Sequence, residues 1–147
     1  MTSPADILRN FLVTEGLVAE VGTDVAVPWQ AFVSHLPNVP EDAVCLYDTA
    51  GRLDGRMMDT GEQIEHPGIQ LVFRSGDYLA LWEKVNAVVL ALDRILRQLV
   101  AIESGTYVRI HSVSRAGSPN YLGIDEMGDR RRHLVSVNVT VTLHPET

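Results

Sequence analysis

Residues His133 to Leu143 alternate almost without fault, and few patterns limit a fold more tightly. Val135, Val137, Val139, Val141 and Leu143 fall on one side, and Ser136, Asn138, Thr140 and Thr142 on the other. A two-residue period over this length specifies a strand in an antiparallel sheet, with one face packed and one face polar. The packed face needs a cover, and the residues from Asp77 onward supply one. Asp77 is placed to cap a helix. Tyr78, Leu81, Trp82, Val85, Val88, Val89, Leu92, Ile95, Leu96 and Leu99 then recur at helical spacing. That broad apolar stripe is the mark of a helix laid on a sheet.

Further elements follow from local chemistry. Ser3-Pro4-Ala5-Asp6 reads as a helix start, with a serine cap, proline in the first turn and an acid behind it. Ile7, Leu8, Phe11 and Leu12 continue that helix until Gly16 or Gly22 ends it. Trp29 to His35, Ala43 to Asp48 and Pro67 to Arg74 read as strands, and Thr106 to Arg115 alternates like a fourth. The predicted order is α-β-β-β-α-β-β. This is an α+β fold, a mostly antiparallel sheet covered on one face by two helices. Long loops are expected at 49–66 and 116–132. At 147 residues, a single domain spanning 1–147 is the expectation.

Composition narrows the function. The chain has 12 basic and 19 acidic residues, a net charge of −7, and a lone lysine, Lys84. No basic face stands out, which argues against non-specific nucleic-acid binding. The lone Cys45 lies in an apolar run and reads as a small buried hydrophobe, so no internal disulfide is possible. The N-terminus lacks the pattern of a signal peptide and no apolar run reaches membrane-spanning length, so a soluble cytoplasmic protein is expected.

Few residue patterns in the chain point to chemistry. Asp48-Thr49-Ala50-Gly51 has a D-x-x-G form, but no phosphate-cradling glycine loop accompanies it. The five histidines show no H-x-x-x-H spacing. Glu65-His66 could serve acid–base chemistry, and His111 could meet His133 across paired strands to hold a metal. Polar strand-edge residues are the simpler reading of all three histidines. Arg130-Arg131-Arg132, beside Asp125, Glu126 and Asp129, reads as salt bridges within or between subunits.

The 49–66 segment carries Arg52, Asp54 and Arg56 together with Leu53, Met57 and Met58. A solvated loop has little use for three exposed apolar side chains, whereas a loop that docks on a partner does. The 116–132 segment has the same mixture, with Tyr121, Leu122 and Met127 among its charges.

The run YDTAGRLDGRMMDTGEQIEHPGIQLVFR, residues 47–74, resembles phage minor capsid proteins of the tail terminator family. A capped helix, a V-x-H-x-P segment (Val33, His35, Pro37), the long loop, the H-P-G-I-Q strand and a long helix recur in that order. The similarity spans about Ser3 to Leu143. It implies a structural virion protein without enzymatic activity or cofactor. Such a protein forms a hexameric ring that caps the tail tube, ends its polymerisation and joins tail to head, while DNA passes through the lumen. The implied partners are further copies of the chain, the tail tube protein and a head-completion or neck protein, with no membrane. The implied location is the head–tail interface of the virion, after synthesis in the host cytoplasm. The expected interface residues are Arg52, Leu53, Asp54, Arg56, Met57 and Met58, with Tyr121, Leu122, Met127, Arg130, Arg131 and Arg132. The competing readings are a neck adaptor that contacts the portal, and a small metal-dependent enzyme using His66, His111 or His133.

Overall fold

The computed structural model describes residues 3–22, 24, 27–56, 58–59, 61, 63–102, 105–127 and 130–146. For residues 54–56, 63–65, 127 and 144–146 it describes the backbone alone. Helix α1 spans Pro4–Thr14. The Ser3 hydroxyl accepts a hydrogen bond from the Asp6 amide at 3.2 Å, as the capping pattern requires. At the other end Gly16 adopts φ +75°, which glycine tolerates without steric cost. Its amide donates to the Val13 carbonyl and that of Leu17 to the Leu12 carbonyl, closing the helix with a Schellman pattern.

Helix α2 spans Tyr78–Asp93, and the Asp77 carboxylate accepts from the amides of Leu79 and Ala80. Leu81, Val85, Val88, Val89 and Leu92 are buried. The predicted stripe outruns the helix. The chain turns after Asp93, Arg97 takes φ +52°, and Leu96 and Leu99 are exposed although Ile95 still reaches the core.

Seven strands form one sheet: β1 (Gln30–Val33), β2 (Ala43–Arg56), β3 (Gln63–Ser75), β4 (Gln98–Ala101), β5 (Tyr107–Arg115), β6 (Asn120–Met127) and β7 (Arg130–Glu146). The order is β1-β2-β3-β7-β5-β4, and β6 also pairs with β7. Among the described strands, β1 and β2 alone pair in parallel. Strand β7, the alternating one, is the spine. One edge pairs with β3, while the other pairs with β6 along its first half and β5 along its second. Its valines meet their neighbours in rungs: Val44, Phe73 and Val135 in one, Leu46, Leu71 and Val137 in the next. These side chains and those of both helices form a single buried cluster. The α+β class and the order of the expected helices and strands agree with the sequence reading, with β4 and β6 additional.

The two expected long loops are corrected. Residues 49–66 are largely ladder, because β2 runs on through Arg56 and β3 begins at Gln63. Register shifts between Thr49 and Arg52, and between Leu53 and Arg56, absorb the glycines that made the segment read as a loop. Within 116–132, β6 occupies Asn120–Met127 and β7 starts at Arg130.

Opposite the helices, the Ser34–Asp42 connection carries the chain from β1 to parallel β2 without a helix. Such crossovers commonly need a dozen or more residues. This shorter one is tied down by arginines. Arg74 donates to the carbonyls of Pro37, Pro40 and Glu41, and Arg132 donates to that of Asn38.

Candidate assembly interface

The β2–β3 hairpin divides into a part inside the sheet and a projecting arm. Strand β1 pairs with β2 only along Ala43–Leu46, and β7 pairs with β3 only as far as Gly68. Beyond those points each arm strand has only the other as a ladder neighbour among the described residues. An isolated two-stranded ribbon is marginally stable in water, and unpaired edges invite another chain. Leu53 is 59% exposed and Met58 fully exposed on this arm. Arg52 is exposed as well, and the backbones of Asp54 and Arg56 continue the strand. Met57 lies outside the described residues.

The root of the arm is built around two glycines. A Cβ on Gly51 would collide with the His66 carbonyl oxygen, and one on Gly68 would come within 2.6 Å of the Ala50 carbonyl oxygen. This is the site of the first register shift. The glycines permit the close backbone approach that re-aims the arm. The His66 imidazole Nδ1 lies 2.8 Å from the Thr142 hydroxyl, joining the root to β7. Pro4, Gly51, Arg52, Leu53, His66 and Pro67 line an open groove of about 300 Å³ beside the start of α1. Asp48, the acid of the D-x-x-G match, accepts a hydrogen bond from the Ala5 amide at 2.9 Å. Its role is to stabilise the N-terminus of α1.

A second surface gathers where the start of α2 meets β6 and β7. Tyr78 stacks edge-on against Tyr121 at 5.8 Å and His133 at 5.4 Å, and the Tyr121 hydroxyl lies 2.8 Å from His133 Nδ1. Trp82 lies behind them, 6.3 Å from Tyr78. Leu79, Leu122 and Ile124 are exposed on this cluster's elements, and among the described residues β6 has only β7 as a ladder neighbour. A bulge at Gly123, with φ +109°, interrupts the alternation of β6. Sequence reading named Tyr121 and Leu122 but missed Tyr78, Leu79, Ile124 and His133. The available signal was Leu79, an apolar residue that the spacing of Leu81, Val85, Val88 and Leu92 turns away from the buried stripe.

The arginine run is split by strand alternation. Arg130 and Arg131 are exposed, and Arg131 lies 3.5 Å from Glu126. Arg132 is 2% exposed and 2.8 Å from Asp125, so its guanidinium is engaged within the chain. Met127 contributes a backbone position at the end of β6. Burial pushes the Arg74 guanidinium below its ordinary pKa, and the neighbouring charge of Arg132 pushes the same way.

The expected meeting of His111 and His133 does not occur. His111 sits where β5 faces the Thr142–Leu143 step of β7, far along the strand from His133. His66 and His133 lie towards opposite ends of the β3–β7 ladder. No group of three or more His, Cys, Asp or Glu side chains suited to a metal occurs among the described residues. Burial raises the pKa of the Cys45 thiol, as expected of an inert core cysteine. No described helix is long and apolar enough to cross a membrane.

A family model described as bacteriophage tail terminator protein matches residues 12–144. No curated protein matches. One solved structure aligns over 99% of this chain and 100% of its own length, at 18% identity and a TM-score of 0.47. A likeness at that level carries no argument about function.

Proposed function

Because the chain belongs to the bacteriophage tail terminator family, we propose that it forms a hexameric ring on the end of the phage tail tube. The ring stops polymerisation of the tube and provides the surface on which tail and head join. The family is a structural one of the virion, and the chain is read as non-enzymatic on that ground. Its partners are further copies of itself, the tail tube protein and a head-completion or neck protein. It works at the head–tail interface after synthesis in the host cytoplasm.

The family match over residues 12–144 carries this reading. The projecting arm supports it. A closed ring of identical subunits needs two different patches on each copy, one to give and one to receive. An arm with exposed Leu53 and Met58 suits the giving side, because apolar anchors contribute most where neighbouring contacts exclude water. The net charge of −7 suits a lumen through which DNA passes without being held, since binding to its backbone depends on cationic contacts.

Electron microscopy of the purified protein, alone and mixed with tail tubes, tests the proposal. Six-fold rings seated on tube ends are the expected result. Bare tube ends that continue to elongate in the protein's presence would overturn it.

A further inference from the structure

We propose that the Tyr78–Tyr121–His133 surface of one copy receives the β2–β3 arm of a neighbouring copy, so that the two surfaces form one heterologous interface. The inference rests on the ring reading and deepens it by naming the receiving residues.

The register of the sheet places the two surfaces. Gly68 pairs with Thr140 at one end of the β3–β7 ladder, and Ser75 pairs with His133 at the other. The arm leaves from the Gly68 end. The aromatic surface gathers at the His133 end, where Tyr121 joins from β6 and Tyr78 from the start of α2. The seven steps between those pairs span about 23 Å at roughly 3.3 Å per residue. The arm then continues away from the aromatic surface for the length of Gln63 to Pro67. A chain cannot seat its own arm on a surface at the far end of the same ladder, but a second copy can. A giving patch and a receiving patch at opposite ends of one subunit produce head-to-tail contact, the class of contact that builds a ring when the rotation between copies closes.

The chemistry of the two surfaces matches. The arm presents a leucine and a methionine, while the receiving side presents two half-exposed tyrosines, with Leu122 and Ile124 exposed on the same strand as Tyr121 and Ile124 paired opposite His133. A thioether packs well against ring edges, and its unbranched chain adapts to an irregular seat. Tyrosine combines a large apolar face with a polar tip, a pairing enriched at interfaces. The edge of β6 away from β7, which has no ladder neighbour among the described residues, adds backbone donors and acceptors that an arm strand could satisfy.

Two single-cysteine additions test the pairing, Met58→Cys and Leu122→Cys, both exposed positions, with Cys45 buried and silent as an internal control. The variants are treated with a short thiol cross-linker, singly and as a mixture, under conditions in which rings are seen by microscopy. A covalent dimer from the mixture alone, and a ladder of covalent oligomers from the double variant, are expected. Rings that form without these products overturn the pairing and leave the ring reading standing. Protein that stays monomeric in sedimentation and adds nothing to tail tubes overturns both. Leu122→Asp is the second arm of the test. It should abolish ring formation while leaving the monomer's melting temperature unchanged, and intact rings would count against the proposed seat.

Discussion

Arg74 on β3 and Arg132 on β7 reach the same crossover from neighbouring strands, and both are almost fully buried. Arg74 spans the carbonyls of Pro37 and Pro40, both at 2.6 Å, while Arg132 donates to Asn38 between them and to Asp125. Two cations side by side repel, and desolvation adds to the cost of holding them there. What offsets this is the fork geometry of the guanidinium, which satisfies carbonyls that a crossover without secondary structure would otherwise leave unpaired. The pair therefore acts as a clasp that holds Ser34–Asp42 over the helix-free face of the sheet.

Removing one side of the clasp should be costly. Arg132→Ala leaves Asp125 without its 2.8 Å partner and Asn38 without a side-chain donor. Breaking a buried pair costs about 3–5 kcal/mol, and partial exposure of Asp125 places this case at about 3 kcal/mol. For a domain of this size that lowers the melting temperature by about 6–12 °C. Arg74→Lys should also destabilise, because the donors of one ammonium converge on a single nitrogen and cannot reproduce the guanidinium's separate reach from Nη2 to the Pro37 and Pro40 carbonyls and from Nε to that of Glu41. Calorimetry that finds either variant indistinguishable from wild type would contradict the clasp.

The clasp also marks a boundary between what the sequence displays and what it hides. The valine alternation of β7 and the stripe of α2 are local periodicities, set by the face each element buries, and both were legible. So were the caps Ser3 and Asp77, because capping chemistry acts within three residues. The clasp was not legible, since Arg74, Arg132 and Asn38 are brought together only by strand pairing across distant segments. Arg132 sat in a run of three arginines that read alike as salt-bridging, and alternation along β7 separated it from Arg131. The arm was half legible. Its exposed apolar residues signalled contact, but Gly51 and Gly55 made it read as a loop, because a bulged ladder uses glycines where a regular one does not.

Gly51 offers a way to misdirect the arm while sparing the core. A Cβ there would strike the His66 carbonyl oxygen, so Gly51→Ala must open the root or tilt the arm. Overpacking of this kind costs about 1–3 kcal/mol. Its effect on ring formation should exceed its effect on folding, because the root sets where Leu53 and Met58 point. Gly117→Ala is the control, with nothing within 4 Å of the added Cβ. It should change stability by no more than about 0.5 kcal/mol. Equal loss of assembly in the two variants would show that the root geometry is irrelevant.

Lys84 gives the folded state a dependence on alkaline pH. Its ammonium donates to the Leu17 carbonyl at 2.7 Å and lies 5.6 Å from the centre of the Trp29 ring, and burial pushes its pKa below the ordinary 10.5. The folded state therefore binds this proton less tightly than the unfolded state does. The cost of holding the charge is present in full below the folded pKa. It is relieved as pH rises through that value towards 10.5, so this group's contribution to stability increases with pH in that window. Chemical denaturation of wild type and Lys84→Met across that alkaline window isolates the effect. The wild type should gain on the variant as pH rises, and a steady loss would reverse the assignment.

Charge placed on the arm should separate folding from assembly most cleanly. Leu53 is more than half exposed and Met58 fully so, which means that neither contributes much apolar burial to the monomer. Leu53→Asp and Met58→Asp should each shift monomer stability by no more than about 0.5 kcal/mol, the range for exposed positions away from special features. In a dry contact the same carboxylate would be stripped of water without a partner, a penalty of several kcal/mol that a single interface cannot absorb. Each such interface occurs once per subunit around a ring, so the loss is repeated at every contact and closure fails as a whole. Sedimentation velocity should show monomer where wild type shows ring, with melting curves that overlay. Rings of unchanged stability formed by the Met58→Asp variant would mean that the arm tip faces solvent in the assembly, and that the contact lies nearer the root.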